Sequence, residues 1–192
     1  IIIGSNKKLS KFKKAKKDKY VLILPEAFEN ELDILVEFSK KITLLNNNVK
    51  FLLRVHPSFN VKKNNNKSLG KYLNSNYFKI SRESLKYDIN RSICAIYRGS
   101  GSIIEAAASG IYPFYLKKKN ELSIDPLYEI SKNKVAISTP EDFLKYYYLI
   151  TKKNSKKFSN NARKISYYCK KYYMRPQLKN IKNILKYLMK YK

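Results

Sequence analysis

The stretch Ile93-Cys94-Ala95-Ile96-Tyr97-Arg98-Gly99-Ser100-Gly101-Ser102-Ile103-Ile104-Glu105-Ala106-Ala107-Ala108-Ser109-Gly110 contains the unit that decides the fold. Ile93 to Tyr97 is a short apolar run of strand length. Five small or polar residues follow, and then Ile103 to Ser109 reads as a helix that Gly110 stops at its C-terminal cap. A strand that runs through a tight turn straight into a helix is the first half of a βαβ crossover.

The same alternation extends in both directions. Upstream, Tyr20 to Leu24 reads as a buried strand stopped by Pro25. Residues 29–45 then place Leu32, Leu35, Val36, Phe38, Ile42 and Leu45 at helical spacing. Val49 to Val55 predicts a strand ending at His56-Pro57, Asn60 to Lys67 a polar loop, Phe78 to Ile80 a short strand, and Ser84 to Ser92 a helix. Downstream, Ile111 to Leu116 and Lys134 to Ile137 read as strands. Pro140-Glu141-Asp142 opens a helix to about residue 150, with proline in its first turn, and two more helices cover about 157–173 and 177–191. Strands alternating with helices predict a doubly wound α/β domain, a Rossmann-like, mostly parallel sheet with helices on both faces. Residues 20–150 form the predicted domain, 1–19 a basic linker, and 151–192 basic C-terminal helices.

The 192 residues are enough for one domain with a real core. No apolar stretch approaches the roughly 20 residues of a bilayer-spanning helix, and Ile1-Ile2-Ile3-Gly4 is too short for a signal peptide. Two separated cysteines form no disulfide framework, so the expected setting is reducing and cytoplasmic. The first residue is not Met, and the chain reads as cut from something longer.

A formal net charge of +27 invites a nucleic-acid reading. The 41 basic residues, however, are 35 Lys and only 6 Arg, whereas base-edge readout and bidentate phosphate recognition favour Arg. Lys, Asn, Ile and Tyr, all with AT-rich codons, make 91 of the 192 residues, so genome composition accounts for much of the lysine. The charge is also unevenly placed. Residues 1–20 hold eight Lys against one Asp, and residues 145–192 hold fifteen Lys or Arg and no acid. Between them, 18 basic residues face 13 acidic ones. Nucleic acid is therefore a disfavoured partner.

In open α/β sheets ligands bind outside the C-terminal strand ends. Those ends carry Pro25-Glu26, His56-Pro57, Ser81, Gly99 to Ser102 and the segment after Leu116. The turn Gly99-Ser100-Gly101-Ser102 has the composition of a phosphate cradle. Its other reading is a capping box, Ser102 as N-cap answered by Glu105, which needs no ligand. Glu105 is thus either a ribose contact or a capping residue. His56 is the only histidine; it could hydrogen-bond or protonate a phosphate oxygen, or be an ordinary loop residue. Glu26, and the acidic loop Asn120 to Tyr128 with Asp125, could orient sugar or base hydroxyls, or serve as plain loop chemistry. Neither a metal-ligand cluster, a nucleophile triad, a lysine-bearing nucleotide loop nor a dinucleotide turn is found, so no metal and no cofactor is expected.

Leu24-Pro25-Glu26, Arg54-Val55-His56-Pro57, the run Tyr97 to Gly110 and Ile124-Asp125-Pro126-Leu127-Tyr128 come in the order seen in surface-polysaccharide glycosyltransferases of the GT-B fold. Over about residues 20–150 the chain resembles the C-terminal, donor-binding half of such an enzyme, of the capsule and sialyltransferase-like groups. The resemblance implies that His56 contacts the donor phosphate, that Ser100 and Ser102 bind it, and that Glu105 contacts the nucleotide ribose. It implies a metal-independent transfer from a nucleotide-activated sugar to a saccharide or lipid-linked acceptor. The His-Pro pair leans toward a CMP-sugar, with UDP-sugars as the alternative. It further implies that the acceptor-binding N-terminal half supplies the general base, so that this part alone is inactive. The turn departs from the pattern at Gly101, which offers backbone where related turns carry a hydroxyl.

Near the C-terminus, Leu178, Ile181, Ile184, Leu185, Leu188 and Met189 make one helix face and Lys179, Lys182, Lys186 and Lys190 much of the rest. Such a helix either packs its stripe on the domain or the missing half, the preferred reading, or lies on an anionic membrane surface at the inner face of the cell membrane. Two rival functions remain: a basic non-enzymatic module for nucleic acid or anionic membrane, and a sugar-nucleotide epimerase of the same fold. A single histidine makes the epimerase hard to staff.

Overall fold

The computed structural model describes Leu9 and residues 19–59, 75–151, 156–174 and 178–190. Most of the expected 1–19 linker and the whole 60–67 loop lie outside the described residues. Six strands form one sheet, all pairs parallel: β1 (Tyr20–Leu24), β2 (Lys50–Leu53), β3 (Phe78–Ile80), β4 (Ser92–Tyr97), β5 (Tyr112–Leu116) and β6 (Val135–Ile137). Their order is β3-β2-β1-β4-β5-β6, so the chain winds outward one way from β1 and the other way from β4. The reversal opens the switch-point crevice between the C-terminal ends of β1 and β4. Leu24 sits opposite Tyr97 there, which sets Pro25-Glu26 beside Arg98-Gly99.

Val21 to Leu24, Cys94 to Tyr97 and every residue of β5 are buried. Unbroken burial of successive residues, whose side chains alternate between faces, means that helices cover both sides of the sheet. The helices are α1 (Glu29–Leu45), α2 (Leu85–Asn90), α3 (Ser102–Ala108), α4 (Pro140–Thr151), α5 (Lys156–Lys170) and α6 (Leu178–Met189). α1 packs on α4 and α3 on α5. α1 buries Leu32, Leu35, Val36, Phe38 and Ile42 of the stripe read from the sequence, while Leu45, at the helix end, is exposed. α5 is part of the core: Ile165 and Cys169 are fully buried, Phe158 stacks edge-on to Tyr112, and the Ser166 hydroxyl donates to the Ala108 carbonyl at 2.7 Å.

Local signals set most ends. Gly110 has φ +91 and donates to the Ala107 carbonyl, while Ile111 N–H reaches back to Ala106, so both bonds close the last turn of α3. Thr139 Oγ1 caps α4 by accepting from Asp142 N–H, one residue ahead of Pro140. Three expected elements are shorter in the structure. The 49–55 strand reduces to Lys50–Leu53, because the chain turns at His56 and Pro57 has no N–H for the ladder. The 84–92 helix is Leu85–Asn90, with Ser84 as its cap and Ser92 already in β4. The 157–173 helix tightens after Lys170 into a 3₁₀ turn, Lys171–Tyr173. A second 3₁₀ segment, Tyr128–Asn133, lacks the apolar periodicity that would have announced it.

Candidate functional site

Glu26 and Gly99 meet at the crevice. A Cβ at position 99 would fall on the Glu26 carboxylate, and 3.2 Å from Cδ1 of Ile124. The space that glycine leaves is therefore filled by this chain's own Glu26, held over the start of the turn. Burial raises the Glu26 pKa, the Glu31 charge adds to the rise, and Arg98 opposes both.

Arg98 is the organising residue that sequence reasoning passed over. Only 3% exposed, it donates from Nε to Glu31 Oε2 at 2.5 Å, from Nη1 to the Leu116 carbonyl at 3.1 Å, and from Nη2 to Glu121. It thereby ties the end of β4 to α1, to the end of β5 and to the loop beyond. A parallel device holds the other side. Arg54 Nη1 pairs with the fully buried Asp88 at 2.8 Å and reaches the Glu83 carbonyl, and Ser81 Oγ donates to the same carboxylate at 2.6 Å. Both arginines at these strand ends are thus committed to carboxylates of the fold. The signal was an arginine next to each quoted motif, but its partner lies 34 residues away for Arg54 and 67 for Glu31 of Arg98.

Two residues past Gly99, at Gly101, the turn opens. Ser100 is buried, Ser102 is half-buried, Gly101 is exposed, and a Cβ at Gly101 would meet nothing within 4 Å. The expected capping box is absent: Gly101 occupies the N-cap position, no side chain caps the helix, and Ser102 is already helical. Ser102 preceded by glycine enters the helix one residue early, which carries its hydroxyl out of reach of the N–H it was to accept from. Glu105 is therefore free of the capping role. It lies near Tyr173, whose phenol is pushed up to about 12 by burial, with the Glu105 charge adding to the rise.

His56 stands exposed at the end of β2, two strands from β4, or about 9–10 Å at the sheet spacing. Its Nδ1 lies 2.7 Å from Ser58 Oγ and accepts from Ser58 N–H at 3.3 Å. With Nδ1 accepting from Ser58 N–H, Nε2 is the ring nitrogen that carries a proton. Asp125 is buried. Its Oδ1 accepts from Tyr97 Oη at 2.8 Å and from Leu127 N–H at 2.9 Å, and its Oδ2 pairs with Lys134. Both oxygens are occupied by groups of the fold.

Burial raises both cysteine thiols, Cys169 up to about 12, which leaves them packed and unreactive at neutral pH. Among the described residues, no group of three or more His, Cys, Asp or Glu is placed to hold a metal ion, and no helix is long and apolar enough to cross a membrane.

Because the Glu26 pKa is raised from 4.5, the unfolded chain ionises first as pH climbs. Ionisation then favours unfolding, and the stability lost grows from the unfolded pKa through the folded one. Glu26→Gln is expected to raise the thermal midpoint near neutral pH and to change nothing below about pH 4. A Glu26→Gln midpoint that at neutral pH equals the parent's or lies below it would contradict the ion-disfavouring environment.

No family model and no curated protein matches the chain. Solved structures do. The glycosyltransferase SnogD from Streptomyces nogalater superposes with a TM-score of 0.57 at 10% identity, covering 89% of this chain and 44% of that one. Os79 from O. sativa, solved with UDP, gives 0.54 at 16% identity, covering 92% and 42%. The UDP-GlcNAc 2-epimerase of Methanocaldococcus jannaschii, in complex with UDP-GlcNAc and UDP, gives 0.51 at 16% identity, covering 78% and 46%. The fold is that of one GT-B half. The chain spans less than half the length of these structures, and at such identities the likeness establishes architecture, which transferases and epimerases share.

Proposed function

We propose that the chain is the donor-binding part of a glycosyltransferase that moves a sugar from a nucleotide-activated donor to a saccharide or lipid-linked acceptor. The observation that carries the reading is the crevice itself. At the switch point of a GT-B-like half, Glu26 is seated on Gly99 against its own ionic preference, beside a turn that is open at Gly101 and whose helix carries no side-chain cap.

In transfer the bond between the anomeric carbon and the phosphate oxygen breaks, and the departing phosphate gains negative charge. Since Arg54 and Arg98 are engaged within the fold, that charge is met by neutral donors: the His56 Nε2–H and the hydroxyls and backbone N–H groups of Ser100 to Ser102. Gly99 takes part by seating Glu26, which with Glu105 receives ribose or sugar hydroxyls. Asp125 acts indirectly, holding the 121–128 loop through Tyr97 and Lys134. The general base and the acceptor site belong to a second half. The nucleotide is a pyrimidine nucleotide; UDP in the neighbouring structures favours a UDP-sugar over the CMP-sugar that His56-Pro57 suggested.

A nucleotide at a hundredfold excess over its Kd is expected to raise the thermal midpoint by about 5–10 °C. His56→Ala, at an exposed position, should leave the unliganded midpoint unchanged and weaken nucleotide binding by about tenfold. A titration panel of UDP, dTDP, CMP and GDP reads both. No shift with any of them, or full binding by the alanine variant, would count decisively against the reading. The epimerase alternative draws on the Methanocaldococcus jannaschii likeness; it predicts isomerisation of the sugar nucleotide without acceptor, whereas a transferase releases free nucleotide when acceptor is added.

A further inference from the structure

α6 is the one described helix of more than ten residues that contributes no side chain to the core. Leu178, Leu185, Leu188 and Met189 are between 54 and 77% exposed. α1 and α4, by contrast, bury Leu35, Val36 and Ile42, and Phe143 and Leu144. At 100° per residue the stripe of Leu178, Ile181, Ile184, Leu185, Leu188 and Met189 covers about 140° of the helix, over roughly 18 Å of length. Lys179, Lys182, Lys186 and Lys190 line its flank within the adjoining third of the circumference. Ile181 is 36% exposed and Ile184 half-buried, while the other four stand in water; so exposed an apolar face is a docking surface, and the reading that it packs on the domain core fails for the described residues.

Charge selects the occupant. Residues 145–192 carry no acid, and α5 adds five more basic residues just before α6. A second copy would bring lysine flanks against lysine flanks, which opposes pairing. A surface that is apolar a few ångströms down and negative at its rim satisfies both faces at once: leucines enter the acyl boundary while lysines reach the headgroups. We infer that α6 lies in the plane of an anionic membrane surface and attaches this chain to it peripherally. The inference is independent of the donor site.

The test is cosedimentation of the full chain with phosphatidylcholine vesicles, with and without phosphatidylserine, at low and high salt. Binding is expected only to the anionic vesicles and should weaken with salt. Leu185→Glu with Leu188→Glu, and separately Lys179→Ser with Lys182→Ser and Lys186→Ser, should each lower partitioning by about tenfold or more, with the thermal midpoint unchanged. Equal binding to both vesicle types would overturn the inference, as would binding that survives the leucine changes and so reflects polycation adsorption alone. A dimer lost on leucine substitution without vesicle binding, duplex DNA that displaces the vesicles, or leucine changes that loosen the proposed second half while vesicle binding persists would equally replace it. A lowered midpoint in either variant would show α6 seated on the domain and refute it.

Discussion

Arg98→Met is expected to destabilise the protein by about 3 kcal/mol, read as a thermal midpoint lower by roughly 6–12 °C. Methionine keeps much of the volume but leaves the Leu116 carbonyl and the half-buried Glu31 without their donor. Glu121 already stands at the surface, with Lys118 at 2.8 Å, and adds little to the loss. Because Arg98 joins α1, β4, β5 and the loop from Lys117, the damage should spread to the crevice. Nucleotide binding should fall together with amide-exchange protection in the 117–127 segment. Removing the stranded carboxylate as well, in Arg98→Met with Glu31→Leu, should restore much of the stability without restoring binding. A single variant as stable as the parent would show that the buried guanidinium contributes nothing net, an outcome known for some buried pairs.

Gly99→Ala tests the crevice most directly. The new methyl group would occupy the position of the Glu26 carboxylate, and the turn cannot retreat without disturbing the β4 end that Arg98 pins. The atoms it would meet are the far end of the half-buried Glu26 side chain, which can swing aside, so the cost in stability is expected to be small, about 1 kcal/mol or less. Displacing Glu26 should weaken nucleotide binding at least tenfold by the energetics of one or two lost hydrogen bonds, roughly 1.5 kcal/mol. Combining it with Glu26→Ala should add no further loss of binding, because both changes remove the same carboxylate from the crevice. Gly101→Ala is the control: its φ of −62 suits any residue and its Cβ meets open space, so the fold should not register it. Calorimetric unfolding and nucleotide titration of the three variants separate the two effects. Identical behaviour of Gly99→Ala and Gly101→Ala would refute the assignment.

These two glycines show how far the site was legible. Both stand in a small-residue turn between strand and helix, and nothing local distinguishes them. The difference arises because β1 lies beside β4, although 67 residues separate Leu24 of one from Arg91, just ahead of the other. Arg98 and Arg54 were written into the motifs and stayed unread for the same reason, since their carboxylate partners are distant in sequence. Asp125 shows the converse: its place in an acidic loop left open a contact with sugar or base hydroxyls or plain loop chemistry, and only the structure shows Tyr97 and Lys134 holding its carboxylate. The capping box failed by one residue, a shift of helix start that spacing does not resolve.

The sequence by itself determined the alternation of strand and helix, the parallel sheet, and the strand ends on which a ligand could fall. Those features rest on periodicity, on proline and on the cap at Gly110, all local properties of the chain. The tertiary structure alone decided which of the strand-end residues face one another, which charges are consumed within the fold, and that the stripe of α6 stays uncovered. Pairing and burial depend on neighbours brought together by the sheet order, and no pattern confined to one segment encodes that order.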